Sequence, residues 1–200
     1  MSVSAKDVKQ LRDRTGAGML ECKKALEETG GDMEAAIDFL RSRGAAKAAK
    51  RAEKAANEGT VGYYIHHGGR IGVLVELNCE TDFVANTEDF QDLARDLAMH
   101  VAASNPLAIR DSDLDAEVVE RERQVYLEQV REEGKPEHIQ EKIVEGKLRK
   151  FFEDHTLMKQ PFVKDPNHTI EDLITTVSAK TGEKIEVARF ARFAVGEGSN

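Results

Sequence analysis

Few residues in this sequence have types and spacings that could do chemistry. His66 and His67 are adjacent, and Glu80 and Asp82 lie two apart, so these four could in principle offer ligands to a metal ion. The histidines have no glutamate or further histidine at a ligand-like offset, and "HHGGR" has the composition of a hairpin turn. Two carboxylates on one loop become an acid–base pair only where their environments differ, and nothing in the sequence separates them. Cys22 recurs with Met19, Ala25 and Leu26 at helical spacing and reads as a buried structural thiol, not a nucleophile. "TGAGM" at 15–19 is glycine-rich, yet it joins two helices where a phosphate loop would join a strand to a helix. Arg43, Lys47, Lys50, Arg51 and Lys54 would share one face of a helix. That stripe reads either as a site for RNA or an acidic partner or as a solvated connector, and no aromatic residue interleaves it.

A different chemistry, that of contact, is offered by "NCETDFVANTEDF" at 78–90. Phe83 stands beside Asp82 where a strand should turn into a helix. A loop phenylalanine either tucks under its own loop or projects. Leu77 and Cys79 already continue the strand's inward row and Phe90 already starts the helix stripe, so the core is supplied without Phe83. A ring projecting from a rigid turn would be an anchor for a protein partner.

The elements that hold these residues follow from periodicity. Ser4 with Asp7 three residues on opens a first helix, which "RTGAG" breaks. A second helix ends at Gly30-Gly31, and Asp32 caps a third carrying Met33, Ala36, Ile37 and Leu40, closed by Gly44. The Ala-rich 45–58 segment is expected to be a helical connector. The period then changes to two. Val61, Tyr63 and Ile65 alternate, as do Ile71, Val73, Val75, Leu77 and Cys79, which predicts half-buried strands around a hairpin. Asn86 or Thr87 caps a helix with the stripe Phe90, Leu93, Ala94, Leu97, Ala98 and Val101. Two charged helices joined at Gly134-Lys135-Pro136 form an antiparallel hairpin, with Val118, Val125 and Val130 facing Ile139, Ile143, Leu148 and Phe151. A last helix carries Ile170, Leu173, Ile174 and Val177, and a third strand alternates Ile185, Val187, Ala191, Phe193 and Val195. The expected fold class is α+β, divided at 1–54 (helical bundle and basic linker), 55–112 (core sheet and helix), 113–152 (hairpin arm) and 153–200 (the rest of the core and a tail).

Composition narrows the function classes. Among 200 residues, 29 Lys and Arg face 37 Asp and Glu, a net charge of −8, which argues against a whole-chain nucleic-acid binder. No run of apolar residues is long enough to cross a membrane, and the start is polar. Two cysteines make no disulfide framework, so a reducing cytoplasmic setting is the expectation.

Several stretches carry a resemblance. "LRDRTGAGMLECKKALEETGGDMEAAIDFLRSRGAAKAAKRA" followed by "CETDFVAN" strongly resembles elongation factor Ts. Further on, "AMHVAASNP", "EGKLRKFFEDHTLMKQPFV" and "RFAVGEG" resemble the same family in the same order. The resemblance implies a guanine-nucleotide exchange factor for elongation factor Tu, which promotes Mg²⁺ and GDP release and holds the nucleotide-free state until GTP binds. It implies a ubiquitin-associated-like (UBA-like) N-terminal bundle, a core with a three-stranded antiparallel sheet, and a protruding coiled-coil hairpin. With one strand hairpin and one "TDFVAN" unit the chain is similar to the short form, which implies a homodimer and a 2:2 complex, the hairpin being the expected dimerisation element. By the same resemblance Phe83 inserts into the GTPase domain, Asp82 disturbs the loop that positions Mg²⁺, and Val84 and Ala85 support the turn. Leu11, Met19 and Leu20 are the expected N-terminal contacts, although Leu11 also fits the bundle core. No cofactor, metal, catalytic residue, membrane or nucleic acid is required. Two rival readings stay open: an adaptor or RNA-binding module using the basic helix, and a metal-dependent enzyme using His66, His67, Glu80 and Asp82.

Overall fold

The computed structural model describes residues 3–51 and 53–197, without the side chains of residues 45 and 47–49. The fold is α+β. Its helices are α1 (Ala5–Thr15), α2 (Met19–Glu28), α3 (Met33–Arg51), α4 (Asp82–Ala85), α5 (Glu88–Ser104), α6 (Ala116–Glu132), α7 (Glu137–His155) and α8 (Ile170–Thr181). Its strands are β1 (Glu58–Ile65), β2 (Ile71–Cys79), β3 (Pro161–Phe162), β4 (Asp165–Thr169) and β5 (Ile185–Ala194). A three-stranded antiparallel sheet runs β1-β2-β5, and β3 pairs with β4. Backbone contacts divide the chain into two compact units.

The first unit gathers residues up to Tyr64, Leu74–Ala98 and Asp172–Ala191. Its helical bundle begins where Ser4 Oγ accepts the Asp7 N–H at 3.1 Å, a cap that satisfies one of the orphan donors of α1. Val8, Leu11, Cys22, Ala25, Leu26 and Ala36 form the small bundle core. Asp32 Oδ1 accepts from Ala35 N at 2.9 Å and starts α3. Gly44 does not close α3, which continues to Arg51, so the expected connector is in part the end of this helix. Gly44 lies close against α8, where an added Cβ would sit 3.4 Å from the Cβ of Ala179, an ordinary contact. A stop signal and a close-approach signal look alike in sequence.

Strand β1 holds a second departure. Its apolar row faces outward, with Val61 56%, Tyr63 68% and Ile65 62% exposed. Gly62 faces in, because a Cβ there would meet the Ala94 carbonyl oxygen at 2.4 Å, so only glycine lets the strand lie against α5. On β2 the expected row is half-buried at Ile71 and buried at Val73, Val75, Leu77 and Cys79, and the α5 stripe from Phe90 to Val101 is buried. Strand β5 buries Ile185 and Val187 but turns Ala191 and Phe193 outward, and the expected Val195 is exposed just beyond its end.

The second unit gathers Ile65–Val73, Met99–Glu171 and the chain from Arg192 onward. Helices α6 and α7 pack along Val130, Val144 and Leu148, with Val119, Tyr126, Leu127, Ile143 and Phe152 beside them. Of the expected α6 face Val130 is buried in the seam, but the contacts before it come from Val119 and Tyr126, one residue on from the expected Val118 and Val125, and Val125 is exposed. His100 is fully buried near Phe162, and its Nε2 lies 2.9 Å from Gln160 Oε1. The Gln160 amide donates to the Asp154 carbonyl, so Oε1 is the acceptor and His100 carries its proton on Nε2. His100 Nδ1 is left without a partner, and burial lowers the His100 pKa.

Candidate functional site

Strand β2 delivers the chain to a sharp corner. Thr81 caps the one-turn helix α4, its Oγ1 accepting from Val84 N at 3.4 Å. Thr87 caps α5 in turn, its Oγ1 accepting from Phe90 N at 3.4 Å and donating to the Val84 carbonyl at 2.8 Å. Gln91 Nε2 donates to the Ala85 carbonyl at 2.7 Å, and Asn86 Nδ2 donates to the Asp82 carbonyl at 2.8 Å. Every turn of backbone between β2 and α5 therefore has a side chain bonded to it.

The result is a divided segment. Val84 and Ala85 are buried, while Asp82 is exposed and Phe83 is 83% exposed, the most exposed of the large apolar side chains in the described residues. The ring does not tuck under its loop. Val84 and Ala85 are its footing.

The corner is braced from far away in sequence. Glu183 Oε2 accepts from Glu80 N at 3.1 Å and Thr81 N at 3.0 Å, and its Oε1 accepts from Thr81 Oγ1 at 2.7 Å. Glu80 Oε1 in return accepts from Lys184 N and from the Arg51 guanidinium, each at 2.7 Å. The Lys184 N–H, and then Arg51, hold the Glu80 carboxyl below its ordinary range. Burial pushes the Cys79 thiol up, as it does that of Cys22. Both thiols are structural in their setting.

The other expected residues fall in different places. In the first turn of α2, Met19 is half-exposed and Leu20 is 76% exposed. Leu11 is fully buried in the bundle core, the alternative that its spacing also allows. The basic stripe is not a single face of free cations. Arg43 lies over the Phe39 ring, Arg51 pairs with Glu80, and the side chain of Lys47 lies outside the described residues. His66 and His67 line an open cleft of about 430 Å³ with Arg70 and Arg192, two cations that make a poor setting for a metal ion. Glu80 is engaged elsewhere. Among the described residues no group of three or more His, Cys, Asp or Glu is placed to hold a metal, and no helix is long and apolar enough to cross a membrane.

The sequence profile of the family described as "Elongation factor TS" matches residues 21–197, almost nine-tenths of the chain. The chain belongs to the elongation factor Ts family. Elongation factor Ts of Syntrophobacter fumaroxidans is 57% identical over 196 residues, covering 98% of both chains. Those of Thermosipho melanesiensis and Moorella thermoacetica are also 57% identical, covering 98% of this chain and 100% and 97% of their own lengths. Membership of the elongation factor Ts family implies a nucleotide-exchange factor for elongation factor Tu, and not a catalyst of covalent chemistry. Sequence reasoning missed Glu183, the residue that binds the corner. Its only local mark is its place just after Gly182, at the end of α8, and that signal says nothing about a strand end a hundred residues earlier.

Proposed function

We propose that this chain binds elongation factor Tu in its GDP-bound form through the corner after β2 and accelerates release of Mg²⁺ and GDP. The observation that carries the reading is Phe83, a large ring 83% exposed above the buried pair Val84 and Ala85. An exchange factor must bind the nucleotide-free partner more tightly than the GDP-bound one, and linkage then weakens GDP by the same factor. Accelerating release about 10⁴-fold means lowering the barrier by roughly 5.5 kcal/mol. Burying one phenylalanine, roughly 150–250 Å² at about 25 cal/mol per Å², provides roughly 4–6 kcal/mol before costs. A single wedge is therefore of the right size, with other contacts sharing the load.

In this reading Phe83 enters the GTPase domain and the exposed Asp82 carboxylate disturbs the loop that positions Mg²⁺, removing charge stabilisation from the phosphates. The three-helix bundle, of UBA-like type, docks Met19 and Leu20 on the same partner, and Leu11 holds that surface in place. The chain then waits on nucleotide-free Tu until GTP binds. It works without cofactor, nucleic acid or membrane, in the cytoplasm.

The homodimer and 2:2 complex belong to the same proposal. Among the described residues there is one β1–β2 hairpin with one such corner, and a second copy would offer a second surface. The α6–α7 hairpin, as a coiled-coil arm, is the contact that the resemblance implies. The exposed row Val61, Tyr63 and Ile65 on β1 is the stronger candidate, because it is apolar and uncovered while the hairpin seam is already filled by its own two helices.

The test is release of a fluorescent GDP from elongation factor Tu with and without the purified chain. Release accelerated by orders of magnitude is expected. Release at the spontaneous rate, or release stimulated equally by chain lacking residues 78–90, contradicts the reading.

A further inference from the structure

We propose that Glu183 is a positioning residue for the exchange step: it fixes the direction in which Phe83 projects. The inference rests on the exchange reading above and adds a residue that none of its motifs contains.

The argument starts from α4. Four residues make one turn, and one turn of helix is not stable by itself, since nucleation fixes several dihedrals for a single hydrogen bond. The direction of Phe83 must therefore be imposed from outside. Thr81 is the pivot, two residues before the ring. The Thr81 hydroxyl has one proton. At 2.7 Å from Glu183 Oε1 that proton goes to the carboxylate, which leaves an oxygen lone pair for Val84 N. Glu183 thereby sets both the orientation of the cap and the start of α4.

The same carboxylate takes the two backbone N–H groups of Glu80 and Thr81, which are the last donors of the strand end and the first of the corner. Bonds to an ionised acceptor are the stronger kind. The lacing also runs in the other direction, from Lys184 N to Glu80 Oε1. Residues 80–81 and 183–184 thus hold each other by four hydrogen bonds, all within the first compact unit. Loosening this brace leaves the Phe83 ring in place chemically but lets its footing rotate.

The test compares Glu183→Ala and Glu183→Gln in the full chain, alone and combined with Phe83→Ala. Glutamine retains a carbonyl oxygen that can accept both backbone N–H groups, and its amide can donate to the Thr81 hydroxyl, which has lone pairs to spare. Release of fluorescent GDP from elongation factor Tu is measured at saturating chain, together with the half-saturating concentration. For Glu183→Ala the saturated rate is expected to fall roughly ten- to a hundredfold, the scale of a misplaced group. Glu183→Gln should recover most of the rate. In the Phe83→Ala background Glu183→Ala should cost almost nothing further, because residues acting through one another are not additive. Hydrogen exchange of the isolated chain should show Glu80 and Thr81 amides losing protection in Glu183→Ala while α1–α3 stay protected.

Natural-rate exchange by Glu183→Ala, or a loss fully additive with Phe83→Ala, overturns the proposal. Equal losses in Glu183→Gln and Glu183→Ala also overturn it, since the effect would then be charge and not direction. If Phe83→Ala alone releases GDP at the natural rate, the exchange reading itself has failed. The amide protection arm still reports whether the brace exists, so the two failures are told apart.

Discussion

The corner that carries Phe83 and the outward row of β1 both hold apolar side chains away from the core, by opposite means. Phe83 is one ring on a four-residue helix, and the hydrogen bonds of Glu183, Gln91 and Thr87 hold the corner's backbone. Val61, Tyr63 and Ile65 stand about 7 Å apart along a strand, in a flat line set by the pleat. A point on a rigid corner can enter a neighbour and leave again. A line of three side chains needs a matching flat surface, and suits a contact that stays closed. The comparison teaches that exposure alone does not name a partner; the stiffness and shape of the support do.

The sharpest way to break that comparison is to remove the point. Phe83→Ala should lower saturated GDP release on the order of a hundredfold, the scale of an interface hot spot, with melting temperature and oligomeric state unchanged. Stopped-flow release and a thermal melt check this together. Next is the line. Tyr63→Asp should weaken self-association about tenfold or more by placing a charge in an apolar contact, read by analytical ultracentrifugation over a dilution series. If the hairpin were the dimer contact, the same dilution series would be unmoved by Tyr63→Asp and shifted by Val125→Asp. A smaller effect is expected at the bundle: Leu20→Ala should raise the half-saturating concentration roughly threefold and leave the saturated rate alone, as loss of uniform binding does.

Much of this arrangement was legible in the sequence, and the exceptions have physical reasons. The α5 stripe from Phe90 to Val101 is buried throughout, because six residues at helical spacing define one face with no ambiguity. The caps at Ser4 and Asp32 form as their types require. Alternation on β1 gave the strand but could not say which side faces in, since a period of two is symmetric; Gly62 decides it by admitting the α5 backbone. The sequence allows Phe83 two settings, and its exposure beside the buried Val84 and Ala85 decides between them. Glu183 was illegible, because its partners lie 102 and 103 residues away and no local pattern encodes such a meeting.

The smallest predicted effect concerns His100, which both regions can ignore. The folded state disfavours its charged form, so the unfolded chain binds the proton more readily. Stability from this group is complete above the ordinary histidine value of 6.5 and declines as pH falls below it, by at most ~1.4 kcal/mol per pH unit. Denaturant melts at pH 6.5 and in steps below it, repeated with His100→Gln, should show the slope flatten, while exchange activity at neutral pH stays level.

The central claim is that the Phe83 ring faces solvent in the free chain and is buried in elongation factor Tu as the nucleotide leaves. It can be watched directly with 4-fluorophenylalanine placed at position 83 and followed by fluorine resonance. The account predicts one sharp, solvent-sensitive signal in the free chain. On adding nucleotide-free Tu that signal should shift, broaden and lose its solvent sensitivity, and excess GDP should restore it. A signal unchanged by Tu, in a chain that still releases GDP at the full rate, would contradict the account.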